Sequence, residues 1–316
     1  MIETEVLIIG GGPSGSACAW RLKQHKIGIL LLDKQEFPRP KTCAGWITPR
    51  VMRDVDLDPA TYPGNFTRFT QFKVEIGKLR FTLRTHQYAI RRVEFDAWLV
   101  QRVSENLVRH HAQEIHYENG RYIVDGEFSA RYLIGAGGTH CPVKRTFFNE
   151  VNPAKSGSLI IAQEEEFVHP GASSTCHLWF FQEGLPGYAW YFPKSDGVVN
   201  VGVGGGSSGL KKQQDNLKRH WELLVDKLER YDLVHEHEFH PVGHSYYLHA
   251  SSPALRTGNA MLVGDALGVA TLDMGEGIGP SIRSGINAAD AIIHGSTYSM
   301  HGLNRYSFPD LFGWRR

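Results

Sequence analysis

Short apolar runs that end abruptly in glycine occur near the start, in the middle and near the end of the chain. Residues 6–9 and 27–32 predict buried parallel strands on either side of a helix from 13 to about 24. Residues 132–134 and 261–263 repeat the strand pattern, and a helix is predicted from about 279 to 293. These segments indicate one parallel sheet whose strands come from separated parts of the sequence.

The intervening regions follow a different pattern, in which apolar and polar residues alternate. Residues 71–90 predict two or three strands with a turn at Gly77 and Lys78, and residues 158–204 predict strands rich in aromatic side chains. Amphipathic helices are predicted from 93 to about 108 and from 210 to 233. The expected fold class is therefore α/β, with a discontinuous Rossmann-like domain and an inserted, mostly antiparallel sheet domain.

Composition and charge exclude several classes of function. The 316 residues carry a formal net charge of +1, so the chain lacks the positive field that gathers nucleic acid. Its four cysteines form no C-x-x-C pair, which argues against a disulfide framework or a zinc module. No secretory signal is expected, and no apolar run approaches the roughly 20 residues of a membrane-spanning helix. We expect a cytoplasmic protein and leave a peripheral membrane contact open.

A glycine-rich turn joins the first predicted strand to the first predicted helix, with the sequence Gly10-Gly-Gly12-Pro13-Ser14-Gly15. This spacing is that of a dinucleotide-binding turn, in which the glycines allow a tight bend, a close approach of pyrophosphate and helix–strand packing. The helix N-terminus adds N–H groups and a positive dipole for the phosphates. The second strand ends in Asp33-Lys34, where a carboxylate accepts hydrogen bonds from a ribose. A dinucleotide cofactor is therefore predicted.

Two later segments favour FAD over NAD. Gly264-Asp265 follows a buried strand, and Gly275-Glu-Gly277-Ile278 opens the last predicted helix. An acid after the strand suits the ribityl chain of FAD, which NAD lacks. The expected FAD-binding domain is discontinuous and comprises residues 1–70, 92–155 and 254–316. The substrate domain comprises residues 71–91 and 156–253.

The sequence resembles the p-hydroxybenzoate-hydroxylase-like superfamily of FAD-dependent oxidoreductases. The resemblance implies that Asp265 binds the ribityl chain of the flavin. Arg92-x-x-Phe95-Asp96-x-x-Leu99 is similar to the R-x-x-F-D-x-x-L helix of that superfamily, whose arginine lies beside FAD. The second motif of the superfamily reads G-A-D-G, whereas this chain has Gly-Ala-Gly-Gly at 135–138.

Within the superfamily the chain resembles the geranylgeranyl reductase family. Lys41-Thr-Cys43-Ala44-Gly45 is similar to a segment whose cysteine faces the flavin in that family. Residues 186–193, which include Tyr188 and Trp190, are similar to a segment that lines the substrate cavity. The resemblance implies reduction of carbon–carbon double bonds in an isoprenoid or other apolar substrate, such as a lipid.

Three residues are predicted to act in catalysis: Cys43, Tyr188 and Trp190. Cys43 and Tyr188 are candidates for the proton donor or a positioning group in an alkene reduction, and Cys43 is also open to interpretation as an inert buried thiol. Tyr188, Trp190 and Phe192 share one strand face by their period of two, and that face is predicted to line the cavity.

Two other functions stay open at this point. One is a flavin-dependent monooxygenase or halogenase. It is suggested by Lys41 and by residues 188–193, which are partly similar to the W-x-W-x-I-P segment of halogenases. The other is a flavin-binding electron carrier without its own substrate. The sequence shows a single complete dinucleotide motif, so the electron donor is expected to be NAD(P)H bound transiently or a redox protein.

A cluster of histidines, His235, His237 and His240, raises the question of a metal. No cysteine accompanies them and their spacing matches no familiar zinc pattern. Solvated histidines and no metal site are therefore expected.

Overall fold

The computed structural model describes residues 1–153, 156–249 and 254–311. The strands of this part of the chain are β1 (Ile2–Ile9), β2 (Ile29–Asp33), β3 (Trp46–Ile47), β4 (Phe66–Ile76), β5 (Leu79–Ile90), β6 (Leu107–Arg109), β7 (Ile115–Glu118), β8 (Arg121–Val124), β9 (Phe128–Gly135), β10 (Leu159–Val168), β11 (Cys176–Phe180), β12 (Gly187–Pro193), β13 (Val198–Gly206), β14 (Val242–Tyr247), β15 (Arg256–Thr257) and β16 (Ala260–Leu262). The helices are α1 (Pro13–Gln24), α2 (Pro49–Asp54), α3 (Arg92–Gln101), α4 (Pro142–Phe147), α5 (Ser207–Lys212), α6 (Leu217–Arg230), α7 (Ile278–His294) and α8 (Phe308–Leu311).

The first sheet has the strand order β15-β16-β9-β1-β2-β6, and all of its neighbours from β16 to β6 are parallel. Successive side chains of β1 point to opposite faces. Val6 and Ile8 pack against α1 and α7, while Leu7 packs with Val143 of α4. Burial on both faces explains why the second half of β1, residues 6–9, is a continuous apolar run rather than an alternating one.

The carboxyl ends of the central strands lie side by side at one edge of this sheet. Ile9 of β1 is in register with Leu32 of β2 and with Gly135 of β9, and Gly135 is in register with Leu262 of β16. In open α/β sheets, ligands bind beyond this edge. The chain therefore brings three distant segments to one place.

The second sheet has the order β14-β10-β13-β12-β11-β4-β5-β3. Strands β11 and β4 are parallel, and its other neighbouring pairs are antiparallel. One face carries an aromatic core that includes Phe72 and Phe192, and α6 covers the other face through Trp221 and Leu224. The predicted fold class, a Rossmann-like sheet with a mostly antiparallel second sheet, is confirmed.

Two helix predictions were wrong in extent. The helix predicted to run to about 108 ends at Gln101, because the following segment forms β6, in which Val108 pairs with Leu32 of β2. The helix predicted over 210–233 is two helices, α5 and α6. Gln214 between them has a φ of 55°, and Asn216 starts α6 by accepting a hydrogen bond from the Arg219 backbone N–H at 3.0 Å.

The division of the chain into domains stays a prediction. The expected boundary at 70/71 falls inside β4, and β3 also pairs with the second sheet. The end of the expected domain, residues 312–316, and residues 154–155 and 250–253 lie outside the described residues.

Candidate active site

In the glycine turn between β1 and α1, two glycines lie so close to neighbouring backbone atoms that a residue with a side chain would not fit. Gly10 has a φ of +111°, and a Cβ there would lie 2.4 Å from the Ala136 carbonyl oxygen. A Cβ at Gly15 would lie 1.9 Å from the Gly10 carbonyl oxygen, so this position lets α1 approach the strand. At Gly12 the nearest atom to a Cβ is Nη2 of Arg39, 3.9 Å away. The backbone at Gly12 is thus accessible from the cavity at the N-terminus of α1.

Asp33, at the end of β2, has a structural partner in this turn. Its Oδ2 accepts a hydrogen bond from the Gly11 N–H at 2.7 Å, and its Oδ1 accepts one from the Gln35 N–H at 2.9 Å. A carboxylate offers about four acceptor positions, so Asp33 can also accept hydrogen bonds from a ribose. Lys34 follows it on the same cavity wall.

The segment after β16 closes the opposite side of this edge. Gly264 has its N–H bonded to Ser284 Oγ at 2.8 Å, and a Cβ at Gly264 would lie 2.5 Å from Ser14 Oγ. Asp265 then faces the cavity. Glu276 accepts a hydrogen bond from the Gly279 N–H at 2.6 Å, and burial raises its pKa to about 7. The first turn of α7 is therefore fixed in place with its N-terminus towards the cavity.

Arg92 and Asp96 form a buried ion pair one helical turn apart on α3. Nε and Nη2 of Arg92 donate to the two carboxylate oxygens of Asp96, each at 2.8 Å. Although burial lowers the pKa of Arg92, Asp96 and the neighbouring Cys43 raise it by more, so the guanidinium stays charged. The arginine thus brings a fixed positive charge to the cavity wall beside Cys43.

The segment from Lys41 to Ala44 lines the same cavity. Cys43 Sγ accepts a long hydrogen bond from the Gly45 N–H at 3.4 Å. A Cβ at Gly45 would lie 2.1 Å from the Ile90 carbonyl oxygen, so Gly45 lets this loop pack closely against β5.

One cavity of about 1430 Å³ connects all these segments with the second sheet. It exceeds the volume of a typical pocket for a small molecule, roughly 300 to 1,000 Å³. Every residue predicted to bind the cofactor lines it except Gly15, Gly45 and Gly264, which pack behind its wall. The residues that do line it are Gly10, Gly12, Pro13, Ser14, Asp33, Lys34, Cys43, Ala44, Arg92, Asp265, Gly275, Gly277 and Ile278.

The second sheet contributes Tyr188 and Trp190 of β12 to the cavity. Tyr188 Oη donates to the Met274 carbonyl oxygen at 2.7 Å, and Trp190 Nε1 donates to Asn200 Oδ1 at 2.8 Å. The indole of Trp190 lies over Gly202 of β13, where a Cβ would come within 2.2 Å of the ring. The prediction that Phe192 lines the cavity was wrong, because its ring is buried among other aromatic rings of the core.

Two titratable cavity residues, Glu164 and His244, were not predicted from the sequence. Glu164 lies on β10 and His244 on β14, and both carry a buried polar atom without a hydrogen-bond partner among the described residues, Oε1 and Nδ1. Burial raises the pKa of Glu164 to about 8 and, with Lys41 and Arg92 nearby, lowers that of His244 to about 4. A signal for Glu164 existed: three consecutive glutamates on one strand cannot all face solvent.

The histidine cluster has ordinary partners. His237 stacks on Phe167 with ring centroids 3.7 Å apart and bonds to Glu165, while His235 pairs with Asp232. Within residues 1–153, 156–249 and 254–311, no group of three or more histidines, cysteines or acids has a geometry that could hold a metal ion.

In the same ranges, no helix has the length and apolar character needed to cross a bilayer.

Comparison with known proteins places the chain in a family. Residues 160–237 match the model of the geranylgeranyl reductase catalytic domain, and residues 8–63 match the NAD(P)-binding Rossmann-like domain. An uncharacterized protein of Methanosarcina barkeri is 32% identical over 92% of this chain and 75% of its own length. The chain belongs to the geranylgeranyl reductase family. The predicted resemblance is thus confirmed.

Two named proteins extend the comparison. Digeranylgeranylglycerophospholipid reductase 1 of Methanopyrus kandleri is 30% identical over 64% of this chain and 58% of its own length. A geranylgeranyl bacteriochlorophyll reductase-like protein from Thermoplasma acidophilum superposes with a TM-score of 0.79 at 21% identity, over 93% of this chain and 79% of that one. The protein is an FAD-dependent oxidoreductase of this family. The open backbone at Gly12 and the size of the cavity suit that cofactor.

Proposed function

We propose that this protein reduces carbon–carbon double bonds in an isoprenoid or comparable apolar substrate. The observation that supports this is a single cavity with two kinds of wall. Glycine turns and helix N-termini form one wall, and the aromatic face with Tyr188 and Trp190 forms the other. Such a cavity can hold an extended cofactor and an apolar molecule in contact with each other.

The first wall would hold FAD along its length. The turn from Gly10 to Ser14 would bind the pyrophosphate, Asp33 would bind the ribose, and Asp265 would bind the ribityl chain. The loop at Cys43 and Ala44, the side chain of Arg92 and the start of α7 at Gly275, Gly277 and Ile278 would surround the ring system. When bound and reduced, FAD supplies a hydride, while the protein sets its position and excludes water.

The second wall would hold the substrate. The Tyr188 hydroxyl already donates a hydrogen bond to the Met274 carbonyl oxygen, and burial raises the pKa of this hydroxyl well above its usual range. We therefore assign Tyr188 and Trp190 to positioning an apolar chain and to excluding water. Cys43 lines the cavity beside Arg92, and its role as a proton donor or a positioning group stays a prediction. The electron donor would be NAD(P)H or a redox protein.

A second candidate, oxygen chemistry on the same cofactor, rests on one observation. Lys41 lines the cavity, and it influences the pKa values of both Glu164 and His244. A lysine in this position is compatible with a monooxygenase or a halogenase. It also belongs to the loop that resembles the reductase segment, so reduction of an alkene is the function that we propose.

An anaerobic half-reaction separates these functions. The FAD-loaded protein is reduced chemically, a geranylgeranyl lipid is added, and the return of the oxidised flavin spectrum is followed. Reoxidation without oxygen, with the lipid gaining two hydrogens by mass, is the expected result. Flavin that stays reduced until air enters would contradict the proposal and favour oxygen chemistry.

Paired tyrosine variants test the substrate wall in the same assay. Tyr188→Phe removes a hydroxyl in the cavity, and Tyr191→Phe removes one from the opposite face of the same strand, in the core under α6. We expect slower reoxidation by lipid in Tyr188→Phe and an unchanged rate in Tyr191→Phe. Equal rates in both would show that the Tyr188 hydroxyl has no part in positioning the substrate.

A further inference from the structure

Strand β10 carries three consecutive glutamates with three different environments. Glu165 bonds to His237 and to the His240 backbone N–H, and Glu166 pairs with Lys194 and Arg91. Glu164 is 2% exposed, and its Oε1 has no hydrogen-bond partner within residues 1–153, 156–249 and 254–311. Glu164 also lines the cavity, so its carboxyl group lies in the cavity wall with one oxygen unpaired among the described residues.

The neighbouring strands leave room for this side chain. Glu164 is in register with Gly202 of β13, where a Cβ would lie 2.8 Å from Glu164 Cβ and 2.2 Å from the Trp190 ring. The glycine thus allows the indole and the carboxyl group to share one face. His244, two residues along β14 from the partner of Glu164, also lines this part of the cavity.

The charges around Glu164 do not compensate its ionised form. Lys194, the cation with the largest influence on it, is engaged with Glu166. An unpaired buried carboxylate is costly, so burial keeps Glu164 protonated and raises its pKa to about 8. The titratable groups that act on Glu164 or are acted on by it are Lys194, Glu166, Lys41, Arg92, Tyr188 and Tyr246, and His244 shares its cavity wall.

We propose that Glu164 is the acid that protonates the substrate in the reduction assigned to this protein. Its O–H bond breaks and a C–H bond forms at the alkene carbon that does not receive the hydride. The two electrons come with that hydride from reduced FAD, and the resulting carboxylate regains its proton from water. This inference rests on the proposed function, and it replaces Cys43 and Tyr188 as the proton donor.

The comparison with Tyr188 decides between the candidates. A general acid works best when its pKa lies near the working pH. That of Glu164 is about 8, whereas that of Tyr188 lies well above 10, and the Tyr188 proton is already bonded to a carbonyl. No described residue bonds to Oε1 of Glu164, so a proton there is not held as the Tyr188 proton is.

The test uses Glu164→Gln, which keeps the shape and removes the acidic proton, in the FAD-loaded protein. We expect the anaerobic reoxidation by lipid to slow roughly 10²- to 10⁴-fold, while flavin content and reduction by chemical reductant stay unchanged. In the parent protein the rate should fall as pH rises through about 8. Glu165→Gln, the adjacent residue on the other face of β10, is the matched control and should retain both rate and pH profile.

A readout independent of turnover is the infrared spectrum of the resting protein. At pH 7 the carbonyl stretch of protonated carboxylic acids should include a contribution from Glu164 and one from Glu276, whose pKa is about 7. We expect this band to weaken in Glu164→Gln and to stay unchanged in Glu165→Gln. An unchanged band, or an unchanged rate, in Glu164→Gln would overturn the assignment. If Glu164→Gln does not fold, Glu164→Asp supplies the same test with the acid displaced by one methylene.

These outcomes also separate the inference from the proposed function. A parent protein that fails to react with lipid contradicts alkene reduction, whatever Glu164 does. A parent protein that reacts, with no loss of rate in Glu164→Gln, contradicts only the role of Glu164.

Discussion

The two walls of the cavity differ in how some of their buried acids are bonded, although Arg39 beside the first wall also has an unpaired Nε among the described residues. On the first sheet, Asp33 and Glu276 both accept backbone hydrogen bonds, and Ser284 accepts one from Gly264. On the second sheet, Glu164 and His244 present buried atoms without partners among the described residues. Buried polar groups are normally satisfied, so such exceptions call for an explanation.

The difference reflects what each wall has to recognise. A dinucleotide is bound largely by backbone shape, which requires a rigid turn with satisfied side chains behind it. The alkene proposed as the substrate would offer no polar group to bind, so a titratable residue beside it would have no partner until the reaction begins. The comparison teaches that one wall of this site depends on glycines, whereas the other combines bonded aromatic side chains with two titratable residues that each have an unpaired atom among the described residues.

The largest effect is expected from a methyl group behind the first wall. Gly15→Ala puts a Cβ 1.9 Å from the Gly10 carbonyl oxygen, which should lower the free energy of unfolding by about 3 kcal/mol and abolish FAD binding. Gly12→Ala, whose Cβ has no atom closer than 3.9 Å, should leave stability intact and weaken FAD binding roughly tenfold. Urea denaturation of the FAD-free proteins and FAD titration measure the two effects. Equal stability of both variants would show that the turn tolerates crowding.

A smaller loss is expected on the second wall. Gly202→Ala places a Cβ 2.2 Å from the Trp190 ring, so the indole must move away from Asn200, at a cost of about 1 to 3 kcal/mol. Gly206→Ala on the same strand meets its nearest atom at 3.8 Å and serves as the control. Tryptophan fluorescence and urea denaturation report the change. An unaltered Gly202→Ala protein would contradict the role of this glycine in seating Trp190.

The smallest effect, counted for a change of one pH unit, is a pH-dependent difference in stability between the parent protein and Glu164→Gln. Between about pH 4.5, where an exposed glutamate titrates, and about pH 8, the folded state keeps a proton that the unfolded state loses. The parent should therefore lose stability relative to Glu164→Gln as pH rises, by at most about 1.4 kcal/mol per pH unit. Glu276, whose pKa is also raised by burial, is present in both proteins and cancels in the difference.

Urea denaturation at several pH values in this range gives the slope. A flat difference would mean that Glu164 is ionised in the folded protein. The contrast between satisfied and unsatisfied walls would then rest on His244 alone.

Most of the first wall could be predicted from the sequence. The turn at Gly10, the acid at Asp33 and the segment at Asp265 each follow an apolar strand, and a parallel sheet brings strand ends to one edge. The second wall was predicted only in part. Tyr188 and Trp190 were recognised by their period of two, but the same period wrongly included Phe192, because a strand longer than the cavity continues into the core.

The sequence by itself determined the cofactor turn, the class of fold and the family, because these depend on local spacing along the chain. Only the tertiary structure decided which glutamate of β10 is buried and what lies opposite it. That choice depends on the register of β10 with β13 and on the position of Gly202 under Trp190. Register between distant strands is set by packing across the sheet, and a shift of one residue would turn Glu164 to the opposite face.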